Sequence, residues 1–155
     1  YKDLVAVLFI DLDDFKPVND TFGHDIGDRV LQEVAQRLSA SIRECDTVGR
    51  IGGDEFLVVL TDVAEVSDIH IVAERITEAT SQPFDLAGAQ FSLSVSVGVA
   101  LFAEHGDDPE ALIRAADQAM YCAKRSGGNG YVLAYSNIDT KDAENELATP
   151  AVDGR

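Results

Sequence analysis

The sequence predicts an α+β fold in which helices flank a mixed β-sheet. Segments with the apolar patterns of strands and of helices interleave in the approximate order βαββαβαβ. A hairpin interrupts this alternation, which argues against a purely parallel, doubly wound sheet. The length of 155 residues is sufficient for one domain with a sizeable core.

The strands are predicted from three kinds of pattern. Residues 4–10 form an unbroken apolar run, typical of a strand covered on both faces. A glycine-rich turn separates Thr47-Val48 from the apolar run 56–60, which predicts a hairpin. Residues 91–99 alternate strictly between apolar and small polar side chains, and 131–135 form a short final strand.

Helical spacing of apolar residues predicts three helices. The first is expected from Asp28 onward, with residues 24–27 as its irregular approach. The second is expected at 66–80 and is ended by Pro83. The third begins after Asp108 as N-cap and ends at the glycine pair 127–128.

The last twenty residues differ in composition from the rest of the chain. Residues 136–155 are polar and lack periodicity, which predicts a tail or linker. The domain itself is therefore expected at residues 1–135.

Composition limits the classes of partner. The formal net charge of −16 disfavours nucleic acids and anionic membranes, which are met by clustered Lys and Arg. A small phosphorylated ligand stays compatible, because a divalent cation can lie between carboxylates and phosphate. Cys45 and Cys122 lack C-x-x-C spacing and indicate reduced, structural thiols in the cytoplasm. No signal peptide or membrane span is expected, and a sensor or transmembrane segment elsewhere in a longer protein is left open.

Two acidic clusters follow or precede predicted strands. Asp11, Asp13 and Asp14 end the first strand, and Asp54 with Glu55 lies in the hairpin turn. If the strands are neighbours, the clusters converge into an oxygen-only set that suits Mg²⁺ or Mn²⁺ rather than zinc. Such a set can activate a ribose hydroxyl for attack on a phosphate. The alternative is that these acids are solvated turn residues.

Residues 50–56, RIGGDEF, resemble the signature of the GGDEF family of diguanylate cyclases. The resemblance extends over about residues 3 to 135. Its further motifs, in the family's order, are Phe9-Ile10-Asp11-Leu12-Asp13, Phe15-Lys16, Asn19-Asp20, Gly23-His24, Gly27-Asp28, Ser96-Val97-Gly98, Ala116-Asp117 to Tyr121, and Ala123-Lys124. It implies the α/β sandwich of the palm and nucleotide cyclase fold, with a mostly antiparallel sheet.

The family's activity implies roles for the acidic residues. Two GTP molecules would be condensed into cyclic di-GMP and two pyrophosphates, with two Mg²⁺ or Mn²⁺ ions in each active site. Asp11, the Leu12 carbonyl and Asp54 would hold the metals, with Glu55 as a further contact. Asp54 would accept the 3′-hydroxyl proton, although Glu55 is not excluded as the base. Gly52 and Gly53 would let the nucleotide approach the turn backbone.

The same resemblance implies the substrate contacts. Asn19 and Asp28 would distinguish guanine from adenine through an amide and a carboxylate. His24 would either contact the substrate or brace the start of the helix. The backbone amides of Asp14, Phe15 and Lys16 would form a phosphate cradle, to which Lys124 adds charge.

One position departs from the family pattern. The arginine usually found four residues after Lys124 is replaced by Gly128. Arg125 could partly substitute, but it points elsewhere, since one residue is about 100° of rotation around the helix. Weaker GTP binding is therefore expected, rather than inactivity. The family's N-terminal Asp-x-Leu-Thr and Asn-Arg segment is also absent, which is attributed to truncation.

Arg43 and Asp46 match the family's R-x-x-D product-inhibition motif, and Arg75 matches its secondary arginine. Cyclic di-GMP would bind there, unless the pair is an ordinary surface salt bridge. Active domains would face each other as a symmetric homodimer. Two other functions stay open: a catalytically silent GTP-binding module that controls an attached domain, and an interaction module that binds only cyclic di-GMP.

Overall fold

The computed structural model describes residues 3–135. Five strands form one sheet in the order β2-β3-β1-β6-β7, and β4 pairs with β5 in a separate hairpin. The strands are β1 (Leu4–Asp13), β2 (Thr47–Gly52), β3 (Glu55–Val63), β4 (Phe84–Leu86), β5 (Ala89–Phe91), β6 (Ser94–Leu101) and β7 (Gly130–Leu133). The helices are α1 (Phe15–Phe22), α2 (His24–Ser41), α3 (Val66–Ser81) and α4 (Pro109–Arg125).

The predicted α+β class is confirmed. Every neighbouring pair of strands in the five-stranded sheet is antiparallel except β6 and β7, which are parallel. The sheet is therefore mixed and mostly antiparallel, as the family resemblance implied.

Strand β1 lies at the centre of the sheet and is buried on both faces. Ala6, Leu8, Ile10 and Leu12 face a core that they share with α2 and α3. Val7 and Phe9 face a second core shared with α4. Because side chains alternate along a strand, the odd-numbered Asp11 and Asp13 lie on the face that carries α4.

Helix α4 lies unusually close to strand β6. A Cβ atom at Gly98 would lie 1.8 Å from the Ala116 carbonyl oxygen and 2.3 Å from the Met120 backbone nitrogen. Both contacts are with helix backbone, so any side chain at Gly98 would force α4 away from the sheet. This close packing brings the C-terminal turn of α4, with Lys124, next to the end of β1.

Several element boundaries differ from the sequence predictions. Helix α1 was not predicted, because only Phe15 and Val18 of its residues are buried and leave little periodicity. Helix α2 begins at His24, not Asp28, since the Gly27 amide already donates to the Gly23 carbonyl over 3.1 Å.

The predicted strand at 91–99 is divided in the structure. Phe91 closes the β4–β5 hairpin, whose turn residues Ala87 and Gly88 have φ angles of 52° and 77°. Two positive φ angles are typical of a type I′ turn, but alanine at the first position gave no signal for one. Strand β6 then begins at Ser94.

Two further findings concern membrane-spanning helices and the cysteines. Within residues 3–135, no helix combines the length and apolar character needed to cross a bilayer. Cys45 and Cys122 are both free and exposed. The predicted tail or linker at 136–155 lies outside the described residues.

Candidate active site at the ends of β1 and β3

Strand pairing brings the two acidic clusters together. Asp11 of β1 lies opposite Glu55 of β3, and the Leu12 amide donates to the Asp54 carbonyl over 3.2 Å. The sequence predicted this convergence on the condition that the two strands are neighbours. They are, so three carboxylates meet at one end of the sheet.

Of these three carboxylates, Asp11 has a buried oxygen that accepts no hydrogen bond from residues 3–135. Its side chain is only 13% exposed, and its Oδ1 atom is buried without a hydrogen bond from any described residue. The pKa of Asp11 is raised to about 6, mainly by burial; Lys124 opposes this rise, and the neighbouring Asp54 and Glu55 contribute to it. A buried carboxylate oxygen that accepts no hydrogen bond is a favourable contact for a cation.

Lys124 supplies a cation at this position. Its ammonium lies 3.1 Å from Asp11 Oδ1, outside hydrogen-bond geometry, and donates to the Leu12 carbonyl over 3.2 Å. Sequence reasoning assigned Lys124 to phosphate. The structure places it instead against two of the predicted metal ligands.

The residues fit a divalent metal by their chemistry. Asp11, the Leu12 carbonyl, Asp54 and Glu55 offer only oxygen, the donor that Mg²⁺ and Mn²⁺ prefer. Within residues 3–135, no three or more His, Cys, Asp or Glu side chains are already grouped to hold a metal. The Lys124 ammonium lies 3.1 Å from Asp11 Oδ1, so a metal ion bound to that oxygen would compete with Lys124 for the same position.

Asp13 connects three elements beside this site, a role that sequence reasoning did not assign. Its carboxylate accepts from Ser94 Oγ and Ser96 Oγ, each at 2.6 Å, and from the Asn129 amide at 2.9 Å. It thus joins β1 to β6 and to the loop after α4. The small polar side chains of the alternating strand were the only sequence signal for it.

A cavity of about 330 Å³ gathers most of the predicted substrate contacts. Its walls include Phe15, Lys16, Asn19, His24, Asp28, Gly53 and Asp54. Asp14, Gly52, Glu55 and Lys124 do not line this cavity. It is the place where the predicted guanine-reading residues and one predicted metal ligand meet.

The start of α1 has the backbone geometry of an anion site. Asp14 has a φ of 55°, in the left-handed region, and the helix that follows has no side-chain N-cap bond. The first amides of a helix without a side-chain cap are free to bind an anion, and the change from left- to right-handed conformation orients them together. Asp14 lines a separate cavity and not the one of about 330 Å³, so the contribution expected of it is that of its backbone amide.

Arg50 belongs to the matched signature, but sequence reasoning gave it no role. It lines the 330 Å³ cavity, and its Nε donates to the Gly53 carbonyl over 2.8 Å. The guanidinium therefore fastens the turn that carries Asp54. Its presence in the signature was the signal that could have identified it.

Gly128 has a structural role at the position where the family usually has arginine. Its φ is 71°, and a Cβ atom there would lie 2.7 Å from Asp13 Oδ2. Arg125 does not replace the missing side chain, because its guanidinium lies 5.9 Å from the centre of the Tyr121 ring on α4. The loop after α4 is thus packed directly against Asp13.

A second cavity, of about 380 Å³, collects the predicted product-inhibition residues Arg43, Asp46 and Arg75. Arg43 binds Asp46 through Nε at 3.2 Å and Nη2 at 3.1 Å. Burial alone would raise the pKa of Asp46, but hydrogen bonds from Arg43 and the Thr61 amide hold that pKa below its usual value. Arg43 is 51% exposed, and its guanidinium also donates to the Thr61 carbonyl and, over 3.4 Å, to the Asp62 carbonyl.

Comparison with known proteins supports the same interpretation. The family profile described as diguanylate cyclase, GGDEF domain, matches residues 1–130. Diguanylate cyclase TpbB of Pseudomonas aeruginosa is 42% identical over 154 residues, which are 97% of this chain and 35% of TpbB. Response regulator PleD of Caulobacter vibrioides is 46% identical over 133 residues, 84% of this chain and 29% of PleD. The chain spans about a third of the length of these relatives.

A solved structure agrees with the sequence matches. The crystal structure of the GGDEF domain of PA1120 (YfiN or TpbB) from P. aeruginosa superposes with a TM-score of 0.84 at 44% identity, covering 87% of this chain and 84% of that one. Profile, sequence and fold agree over the part of the chain that carries the converging carboxylates. The chain therefore belongs to the GGDEF family of diguanylate cyclase domains.

Proposed function

We propose that this chain is a diguanylate cyclase that condenses two GTP molecules into cyclic di-GMP and two pyrophosphates. The observation that carries the proposal is the β1–β3 register, which joins Asp11, Asp54 and Glu55 beside the cavity containing Asn19 and Asp28. Relatives named as diguanylate cyclases favour this activity over a catalytically silent module.

Substrate recognition is assigned to the 330 Å³ cavity. The Asp28 carboxylate can only accept hydrogen bonds, so it suits the N1–H and 2-amino donors of guanine, which adenine lacks. The Asn19 amide can donate and accept at the same edge. The α1 amides, with Phe15 and Lys16 at their start, orient the phosphates, and Lys124 contacts phosphate once it leaves Asp11.

The chemical step is a reciprocal displacement. Each 3′-hydroxyl oxygen forms a bond to the α-phosphorus of the other GTP while the bond to pyrophosphate breaks, and the hydroxyl proton passes to Asp54, or to Glu55 as the alternative base. Two bound Mg²⁺ or Mn²⁺ ions would neutralise charge on the triphosphate and lower the pKa of the hydroxyl. Because each chain binds one GTP, the active form is a symmetric homodimer with facing sites.

Product inhibition is assigned to the 380 Å³ cavity. Cyclic di-GMP is a dianion with guanine edges, and the exposed guanidinium groups of Arg43 and Arg75 carry the positive charge and the N–H donors that phosphate and the guanine acceptors require. The GGDEF domain of DgcB from Caulobacter crescentus, 27% identical with a TM-score of 0.76, was crystallised with c-di-GMP. Binding at this distinct site would couple product level to domain arrangement.

The proposal also includes the domain boundaries and the cellular location. We assign residues 1–135 to the domain and 136–155 to a tail or linker, and we place the domain in the cytoplasm, where GTP is available. The net charge of −16 supports a domain that binds neither nucleic acid nor membrane. Gly128 is expected to weaken GTP binding without abolishing turnover.

The cyclase activity is tested by incubating the chain at high concentration with GTP and Mg²⁺ and separating the products by chromatography. Cyclic di-GMP is expected, and Asp54→Asn should lower its rate of formation at least about 100-fold. Asp85→Asn, an exposed carboxylate on β4, is the matched control and should retain full activity.

Two results would contradict the cyclase proposal. Undiminished turnover by Asp54→Asn would remove Asp54 from the mechanism. GTP binding by calorimetry without any product, even when two chains are fused to enforce dimerisation, would favour the silent module instead.

The raised pKa of Asp11 predicts that the effect of Asp11→Asn on the free energy of unfolding depends on pH. The pKa of Asp11 is about 6 in the folded state and has an ordinary value of 3.8 in solvent, so the folded state binds more protons between these pH values. The wild-type free energy of unfolding therefore falls as pH rises through this window. Asn has no such titration, so the mutant should gain about 2 kcal/mol relative to wild type between pH 4 and pH 8.

The measurement is denaturant unfolding of both chains in EDTA across this pH range. A difference between Asp11→Asn and wild type that stays constant with pH would mean that the pKa of Asp11 is ordinary.

Product inhibition is tested with Arg43→Ala. The variant should keep its cyclase activity, because Arg43 lies outside the nucleotide cavity, and the cyclic di-GMP concentration for half-inhibition should rise at least about tenfold. Arg114→Ala, an exposed arginine of α4, is the control. Unchanged inhibition of Arg43→Ala would show that the pair is only a surface salt bridge.

A further inference from the structure

The junction between α1 and α2 places Asn19 against a buried glycine. The Asn19 carbonyl accepts from the Gly23 amide over 2.9 Å, which ends α1, and the Gly27 amide donates to the Gly23 carbonyl over 3.1 Å, which begins α2. The tight connection through Gly23, with its φ of 86°, folds the two helices onto each other. Gly27 is buried at their contact.

The space that the Asn19 amide occupies exists only because residue 27 is glycine. A Cβ atom at Gly27 would lie 1.8 Å from Asn19 Oδ1, 2.9 Å from Asn19 Cγ and 3.3 Å from Phe15 Cζ. The first two separations are shorter than real contacts, so the amide would have to move. It is the end of a flexible side chain, so it can move while both helices keep their positions.

The side-chain amide of Asn19 is positioned by packing alone. This amide is half-buried, and it makes no hydrogen bond with any other residue in the range 3–135. Both its donor and its acceptor are therefore available to a ligand in the 330 Å³ cavity. The surface that sets its orientation is the bare Cα of Gly27.

We propose that Gly27 is a specificity-determining positioning residue, which holds the Asn19 amide at the guanine edge. This inference rests on the proposed function, in which Asn19 and Asp28 read guanine. Its consequence is specific: a methyl group at residue 27 displaces Asn19 and weakens the binding of guanine nucleotides, while adenine nucleotides, to which the proposed function gives no contact with Asn19, bind as before.

The test uses calorimetry with the α,β-methylene analogues of GTP and ATP, which cannot undergo displacement at the α-phosphorus. Gly27→Ala should weaken binding of the GTP analogue about fivefold to tenfold, the loss of one or two hydrogen bonds, and leave binding of the ATP analogue unchanged. Gly49→Ala is the matched control, because a Cβ atom there would have no neighbour within 4 Å.

A double-mutant cycle separates this effect from damage to helix packing. Asn19→Ala alone should reduce guanine preference by a similar factor. Because it removes the atoms that collide with the new methyl group, Gly27→Ala should cause no further loss in the Asn19→Ala chain.

Three results would count against the assignments. If Gly27→Ala causes an equal further loss of guanine preference in the Asn19→Ala chain, Gly27 acts through helix packing. If Gly27→Ala leaves guanine preference unchanged while Asn19→Ala lowers it, the inference about Gly27 alone is overturned. Unchanged preference in Asn19→Ala would overturn the guanine-reading role of Asn19 in the proposed function itself.

Discussion

The site depends on the pairing of β1 with both β3 and β6. Hydrophobic burial fixes this pairing, because Leu8, Ile10 and Leu12 face one core while Val7 and Phe9 face the other. A one-residue slip would exchange the two faces and bury Asp11 under α2 and α3. The position of the Asp11 carboxylate is thus set by apolar side chains on the same strand, and the opposition of Asp11 and Glu55 follows from the same register.

This arrangement places like charges together in an already acidic chain. Asp11, Asp54 and Glu55 gather at one end of the sheet, and burial, together with the two neighbouring carboxylates, raises the pKa of Asp11. Lys124 opposes this rise, and α4 can bring Lys124 there only because Gly98 lets the helix lie close to the sheet. Asp13, with four polar neighbours, is the satisfied counterpart of the unsatisfied Asp11. The structure therefore separates one carboxylate that stabilises the fold from one that can bind a cation.

Sequence patterns predicted the class of fold because its strands and helices have local signals, and the matched motifs named most of the residues that line the candidate cavity. Burial on both faces makes β1 a continuous apolar run, and Asp108 with Pro109 marks the start of α4, where the Asp108 side chain accepts from the Ala111 amide. Helix α1 and the β4–β5 hairpin escaped prediction because they are short and bury few side chains. The position of Lys124 and the contacts of Asp13 join residues that are distant in sequence. The fit of Asn19 against Gly27 depends on a missing Cβ atom. Hydrophobic periodicity reveals neither kind of contact.

A crystal structure of the chain with Mg²⁺ and the α,β-methylene analogue of GTP tests the central claim most directly, namely that the joined ends of β1 and β3 form a metal and nucleotide site. The account predicts metal density on Asp11 and the Leu12 carbonyl, guanine against Asn19 and Asp28, and the Lys124 ammonium displaced from Asp11 toward phosphate. Metal or nucleotide bound elsewhere, with Lys124 still against Asp11, would contradict it.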